Sequence, residues 1–196
     1  MKSYQKLSIV CITVFLVSFG ITSISKAQDG FFSDAHTLGQ NQFELGFQPV
    51  MLTEPNDFMM MFRGGYGFAP SLTGYAKVGA LADETYLGAH LEYNVAYEPR
   101  SAFSVSLLGG AFDYYDVGLK LGVNISKDIQ NVSIYTGMNY QPIFTDNTIN
   151  ALLIPVGADI NIDSQDNVDL VLEADIPAND DAEFLEALTF GLNIRL

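Results

Sequence analysis

From residue 42 onward the chain alternates between apolar and polar positions, and the alternation is cleanest at its far end. Leu188, Phe190, Leu192, Ile194 and Leu196 form one row, and Thr189, Gly191, Asn193 and Arg195 form the other. A period of two puts the rows on opposite faces of a β-strand. The same pattern predicts strands at about 42–49, 58–68, 72–81, 85–97, 102–112, 115–125, 132–141, 150–162, 168–176 and 188–196, ten in all. Ala69-Pro70-Ser71 and Glu98-Pro99-Arg100-Ser101 mark turns between them. Helical spacing is nearly absent; only Asp180 to Leu188 could form a short turn of helix. An even number of strands joined in sequence returns both ends of the chain to one side. The connections near 69–71, 98–101, 127–131 and 163–167 then share that side. Those near 50–57, 82–84, 113–114, 142–149 and 177–184 share the other and are slightly longer. None is long enough to promise a lid or a plug.

The beginning of the chain has a different grammar. Lys2 and Lys6 precede an apolar stretch from Leu7 to Ile24, and Ser25-Lys26-Ala27 offers small residues where a signal peptidase reads them. The expectation is a secretory signal peptide over 1–27, a lead-in over 28–41 and a barrel over 42–196. The competing reading is an uncleaved membrane anchor, since the apolar run is nearly long enough to span. Cys11, the one cysteine, lies inside the apolar run, where it is a poor lipidation site and leaves with the signal.

Composition narrows the choice. The chain has 9 Lys and Arg against 23 Asp and Glu, a net charge of −14. Removal of 1–27 takes three of the cations and leaves a net of −17. Such a surface repels a phosphate backbone, so no nucleic-acid partner is expected. Only 16% of residues are charged, below the quarter or so usual in soluble domains. After Gln28 no apolar run approaches the length of a spanning helix, so a mature membrane protein here must be a closed barrel.

Alternation does not by itself say which row faces inward. A soluble barrel alternates too, with its apolar row inside. Three features favour lipid outside. The polar rows hold Gly, Ser, Asn and charges of both signs, which suits a crowded lumen. The apolar rows carry large residues along nearly every strand, more than a small lumen can hold. Phe43, Phe58, Phe68, Tyr97, Phe103, Phe112 and Tyr140 fall near strand ends, where interfacial girdles belong. The predicted fold is therefore all-β: a closed, antiparallel, up-and-down transmembrane barrel of about ten strands behind a cleaved signal peptide.

With the signal, the ten short amphipathic strands, the tight turns and the apolar last strand in view, the chain resembles the small outer-membrane β-barrel proteins of Gram-negative bacteria. The likeness is one of pattern and covers 28–196. It implies residence in the cell outer membrane, contact with outer-membrane lipid, and recognition of 188–196 by the barrel-insertion machinery. Leu196 stands where such proteins usually carry an aromatic residue.

The chemistry offered by the inward rows is modest. Arg63, Lys77, Lys120 and Arg195 are the expected lumen cations; Glu44, Glu92, Asp116, Asp159, Asp169, Glu173 and Asp175 the expected lumen acids. Arg63, Lys77, His90, Glu92, Lys120, Asp159, Glu173 and Arg195 are read as a polar network that fills and stiffens a narrow interior. The excess of acids would make an open lumen cation-selective, but ten strands lie near the filled end of the size range. His90 and Glu92, with Ser104 or Ser106 on the next strand, could mimic a hydrolytic constellation; a hydrogen-bonded lumen histidine is the plainer reading, and no catalytic residue is assigned. His36 is read as solvated. Asp180, Asp181, Glu183 and Glu186 crowd the last far-side loop, with Asp57, Asp83, Glu84 and Asp146 on the same rim. Carboxylate oxygens of this kind suit a divalent cation, although a solvated acidic rim is the simpler account, and no cofactor is expected. The residues leave three roles open: a structural barrel with minor solute passage, a small cation-preferring channel, or a lipid-modifying or proteolytic enzyme.

Sequencing the mature N-terminus tests the processing. It should begin at or within a few residues of Gln28; an intact Met1 on the membrane-bound product would overturn the signal-peptide reading.

Overall fold

The computed structural model describes residues 35–53, 57–80, 85–96, 101–114, 116–163 and 167–196. The expected signal peptide over 1–27, Tyr97, Asp83 and Glu84 lie outside them. The strands are β1 (Phe43–Leu52), β2 (Asp57–Ala69), β3 (Leu72–Ala80), β4 (Thr85–Ala96) and β5 (Ser104–Tyr114). They continue as β6 (Asp116–Ile129), β7 (Val132–Ile143), β8 (Ile149–Asn161), β9 (Val168–Pro177) and β10 (Ala187–Arg195). A single 3-10 turn, Asp180–Leu185, falls where the sequence allowed a helix.

Each strand pairs antiparallel with the next, and β10 pairs back with β1, closing a ten-stranded barrel. At the seam Leu45 lies opposite Ile194 and Phe47 opposite Leu192. The Leu196 N–H donates to the Phe43 carbonyl at 2.9 Å. Closure follows from the backbone: an antiparallel sheet that ends leaves a row of orphaned N–H and C=O groups, and only joining its edges removes them. The turns at one end are tight. Between β6 and β7 the chain reverses through Gln130-Asn131, with Gln130 at φ 60°, a left-handed conformation that tight hairpins need. The strands, 9 to 14 residues long, match the 9–11 or so that a tilted strand needs to cross a bilayer.

The faces sort as the alternation predicts. Leu45, Phe62, Leu91, Leu121 and Leu192 point outward and are exposed, while Glu44, Arg63, Lys77, Glu92 and Asn124 point inward and are buried. Two assignments are corrected. Phe112 is not a girdle residue but points into the lumen, 7% exposed. Asp116 is exposed at the end of its strand and takes no part in the lumen.

The larger correction concerns the lumen itself, which is not polar throughout. At the end opposite the tight turns it is filled by Val50, Leu52, Met59, Met61, Tyr86, Phe112, Tyr114, Ile143, Ala151, Leu153 and Ala187, joined by Ala182 and Leu185 of the 3-10 helix. The sequence bears the signal: Pro49 to Leu52, Phe58 to Phe62 and Ala151 to Val156 are apolar in both rows. There the outer row meets the surroundings while the inner row packs against itself.

Inward glycines make room for inward rings. Tyr135 lies opposite Gly157, and a Cβ on Gly157 would stand 2.2 Å from the Tyr135 Cζ. Phe112 covers Gly118 and Tyr75 covers Gly65 in the same way. Gly64, on the outer face, has nothing within 4 Å of that position. Gly157→Ala should therefore cost about 1–3 kcal/mol by overpacking, and Gly64→Ala should be neutral or stabilise by up to about 1 kcal/mol, since Gly is disfavoured in strands. Denaturant titration of each variant folded into lipid vesicles compares them; equal effects would mean that the ring does not depend on the glycine hollow.

Candidate functional site

The lumen has three levels, and each is built from residues that the pleat turns inward. The first is at the end of the tight turns. Here the lead-in does not lie in solvent but folds across the mouth as a strap, residues 35–38. The Ala35 N–H donates to Ser126 Oγ at 3.3 Å, and Asn94 Nδ2 donates to the Ala35 carbonyl at 2.7 Å. The Leu38 N–H donates to Thr73 Oγ1 at 2.8 Å. Ala35 and Leu38 are buried. The strap thus covers the β3–β6 side of the mouth. His36, expected in solvent, sits at 3.2 Å from Ser104 Oγ and 3.3 Å from Asp128 Oδ2. Both contacts use the same ring nitrogen, Nε2. These contacts fasten the strap to β5 and β6.

Beside the strap the mouth opens into a cavity of about 590 Å³ on the β7–β10 side, continuing to β1 and β2. Its floor carries ion pairs. Arg63 pairs with Glu44, and Arg195 reaches both Glu44, at 3.7 Å, and Asp169. The Arg63 guanidinium also lies 4.7 Å from the centre of the Tyr75 ring, within cation–π range.

The second level is the mid-lumen. His90 stacks on Tyr75 with ring centres 5.0 Å apart. Its partners are not those of a nucleophilic site. The Ser106 hydroxyl donates to Glu92, and Ser104 belongs to His36, so the hydrolytic grouping of His90, Glu92 and a serine is not assembled. Glu173 accepts from the Tyr135 hydroxyl at 2.8 Å. Lys77, Lys120 and Asp159 are buried on the same inner wall. Arg63, Lys77 and Lys120 come from β2, β3 and β6, Asp159, Asp169, Glu173 and Asp175 come from β8 and β9, and Glu92 lies among the cations on β4. Among these groups the side-chain amides of Gln48, Asn124 and Asn139 and the hydroxyl of Thr189 find no hydrogen-bond partner among the described residues, although all are buried. A buried polar group without a partner costs about 1–3 kcal/mol.

The third level is the apolar cluster, with the 3-10 helix as its cap. The cap bridges the rim. Asn179 Oδ1 accepts from the Leu152 N–H at 2.9 Å and Asp181 accepts from the Asn150 N–H at 3.1 Å, fastening it to β8. The Glu186 carbonyl accepts from the Thr53 N–H at 3.1 Å, fastening the other side to β1. Ala182 and Leu185 are buried beneath it. This cap was not foreseen from the length of the loop. Of the acidic rim, Asp180 and Glu183 are exposed and Asp181 is engaged by Asn150. Among the described residues no three His, Cys, Asp or Glu side chains gather closely enough to hold a metal ion.

No protein-family model matches the chain, and no curated protein matches it. Solved structures that it resembles include one from the de novo design of transmembrane β-barrels, at 13% identity and a TM-score of 0.43, covering 82% of this chain and 99% of that one. A second is the KdgM porin, at 9% identity and a TM-score of 0.49, covering 77% and 98%. A third is the N-terminal β-barrel domain of Pseudomonas aeruginosa OprF, at 11% identity and a TM-score of 0.40, covering 81% and 100%. The barrel described above stands on its own strand pairing, with no family assigned.

Glu44 meets two guanidiniums in the lumen, and Arg63 is buried beside it. Removing one partner of a buried pair leaves the other charge uncompensated, at about 3–5 kcal/mol. Glu44→Gln should lose that much in a denaturant titration, and Asp146→Asn, at an exposed position on the opposite rim, should change stability by less than about 0.5 kcal/mol. Equal midpoints for the two would show that the lumen pair contributes nothing.

Proposed function

We propose that the chain is an integral outer-membrane barrel, structural at rest, with a minor solute path that opens only when the cap yields. The observation that carries this reading is the apolar cluster. Its members come from β1, β2, β4, β5, β7, β8 and β10 and meet across the lumen. Below the cluster the interior is polar as far as the mouth. One end is closed by apolar packing, as in a hydrophobic gate that conducts only when wetted. Outer-membrane lipid is the partner of the outward wall, whose exposed Phe43, Phe58, Phe68, Phe103 and Tyr140 suit an interfacial belt. The insertion machinery would read 188–196, the strand that closes the seam. The strap would then face the periplasm and the cap the outside. A non-enzymatic role is supported by His90, which stacks on Tyr75, while the Ser106 hydroxyl is held by Glu92.

The second reading, a cation-preferring channel, draws on the buried lumen charges, where Glu44, Glu92, Asp159, Asp169, Glu173 and Asp175 outnumber Arg63, Lys77, Lys120 and Arg195.

Planar-bilayer recording separates the two. The native protein should be silent. Phe184→Ser combined with Leu185→Ser loosens the cap and should produce small, cation-preferring currents. Steady conductance of the native protein would establish the channel instead. Silence of the folded double variant would remove the conditional path and leave only the structural role.

A further inference from the structure

We infer that the half of the mouth under the strap is a peptide-binding seat, which the strap occupies in cis and which a short segment of another polypeptide takes when the strap leaves. The segment that fits carries a small residue, then a side chain that donates a hydrogen bond, then any residue, then an aliphatic one of about the size of leucine. The inference concerns the strap end alone and does not depend on whether the cap ever moves.

Three observations carry it. First, the seat reads main chain. The Ala35 N–H donates to Ser126 Oγ, Asn94 Nδ2 donates to the Ala35 carbonyl, and the Leu38 N–H donates to Thr73 Oγ1. The three wall groups are buried side chains on β6, β4 and β3. Every residue other than proline offers the same N–H and C=O, so these contacts do not require the segment to belong to this chain. Peptide-binding grooves gain affinity in this way and add selection through side-chain pockets.

Second, the wall leaves room for a backbone that is not its own. A Cβ on Gly67 of β2 would stand 2.1 Å from the Gly39 carbonyl oxygen and 3.0 Å from that of Leu38. A Cβ on Gly65 would stand 3.1 Å from Leu38 Cδ1. At two successive inward positions β2 carries no side chain, and the strap's main chain and its leucine fill the space.

Third, the strap's side chains show what the seat selects. Ala35 is 0% exposed and Leu38 5% exposed. In such close-packed surroundings a larger first residue or a polar fourth one is penalised. Between them His36 Nε2 lies 3.2 Å from Ser104 Oγ and 3.3 Å from the Asp128 carboxylate, and an ionised carboxylate only accepts. The Thr37 hydroxyl donates to the Pro70 carbonyl at an exposed position, so the third residue is free to vary.

The test uses the full mature chain carrying Ala35→Asp and Leu38→Asp, which puts two charges into buried seats and drives the strap off them. An acetylated peptide of residues 35–40, Ala-His-Thr-Leu-Gly-Gln, with a dye at its C-terminus, reports binding by fluorescence anisotropy in detergent micelles. It should bind the double variant saturably. It should bind the native chain at least tenfold more weakly, because the attached strap holds the seat at an effective concentration in the millimolar range. A peptide with Asp in place of its leucine should not bind. Within the double variant, Thr73→Val should weaken the native-sequence peptide about threefold or more, and Asp181→Asn on the opposite rim should leave it unchanged. Circular dichroism verifies folding of each variant; where the double variant does not fold, Leu38→Ser alone takes its place. Absence of saturable binding to the unseated chain overturns the seat. So does equal binding to the native chain, since the peptide would then lie elsewhere. Equal affinity for the Asp-bearing peptide, an unchanged affinity in Thr73→Val, or an equal loss in Asp181→Asn overturns it as well.

Discussion

Backbone hydrogen bonding across the β1–β10 seam is the condition on which everything else in this molecule rests. A strand in hydrocarbon has no water to satisfy its outer N–H and C=O groups, and each orphan costs several kcal/mol. The sheet therefore either closes or fails to form. Closure fixes which row of every strand faces inward, because a slip of one residue would exchange the rows around the whole wall. The pairing of Leu45 with Ile194 and Phe47 with Leu192 is the register at which the outer rows of the two seam strands meet. The burial of Glu44, Asn193 and Arg63 is the other side of the same choice.

A closed ten-stranded wall leaves a lumen too narrow to be empty, and the chain fills it in two ways. At one end it uses the logic of a soluble core: aliphatic and aromatic side chains, two methionines, and a helical turn laid across the top. Through the middle it uses charges, amides and hydroxyls. The rings of Tyr75, Phe112 and Tyr135 are admitted by glycines on neighbouring strands. The boundary between the two fillings is sharp because it follows the strands: at the cap end of β1, β2 and β8 both rows are apolar. The lumen is thus a short polar chamber below an oily stopper.

Much of this was legible in the alternation. Ten strands, their order, the closed topology, the seam and the sidedness of Arg63, Lys77, Glu92, Lys120 and Glu173 all follow from a period of two and from the need to leave no edge. What escaped was what alternation cannot express. Phe112 looked like a girdle residue because it is a ring near a strand end, yet it lies in the row of Ser104 and Ser106 and points in. The apolar plug was hidden because a run such as Phe58 to Phe62 satisfies the outward rule whatever its inner row does. The cap was missed because loop length is a poor guide when Asn179 and Asp181 can fasten a six-residue turn to a neighbouring strand. The strap was missed because its contacts are backbone to side chain, Ala35 to Ser126 and Leu38 to Thr73, across distances in sequence that no local pattern reports.

The strap is joined to β1 through residues 39–42 alone, and that short run is itself pinned: the Asn41 N–H donates to the Gly67 carbonyl at 2.8 Å and the Gly67 N–H to the Gln42 carbonyl at 3.0 Å. A segment held so near its seat acts on the mouth at an effective concentration in the millimolar range. A solute present at micromolar levels competes for the same half of the opening at a disadvantage of about a thousandfold before any difference in contact is counted. Chain connectivity, more than affinity, therefore decides which half of the mouth belongs to the protein and which half is left to the solution.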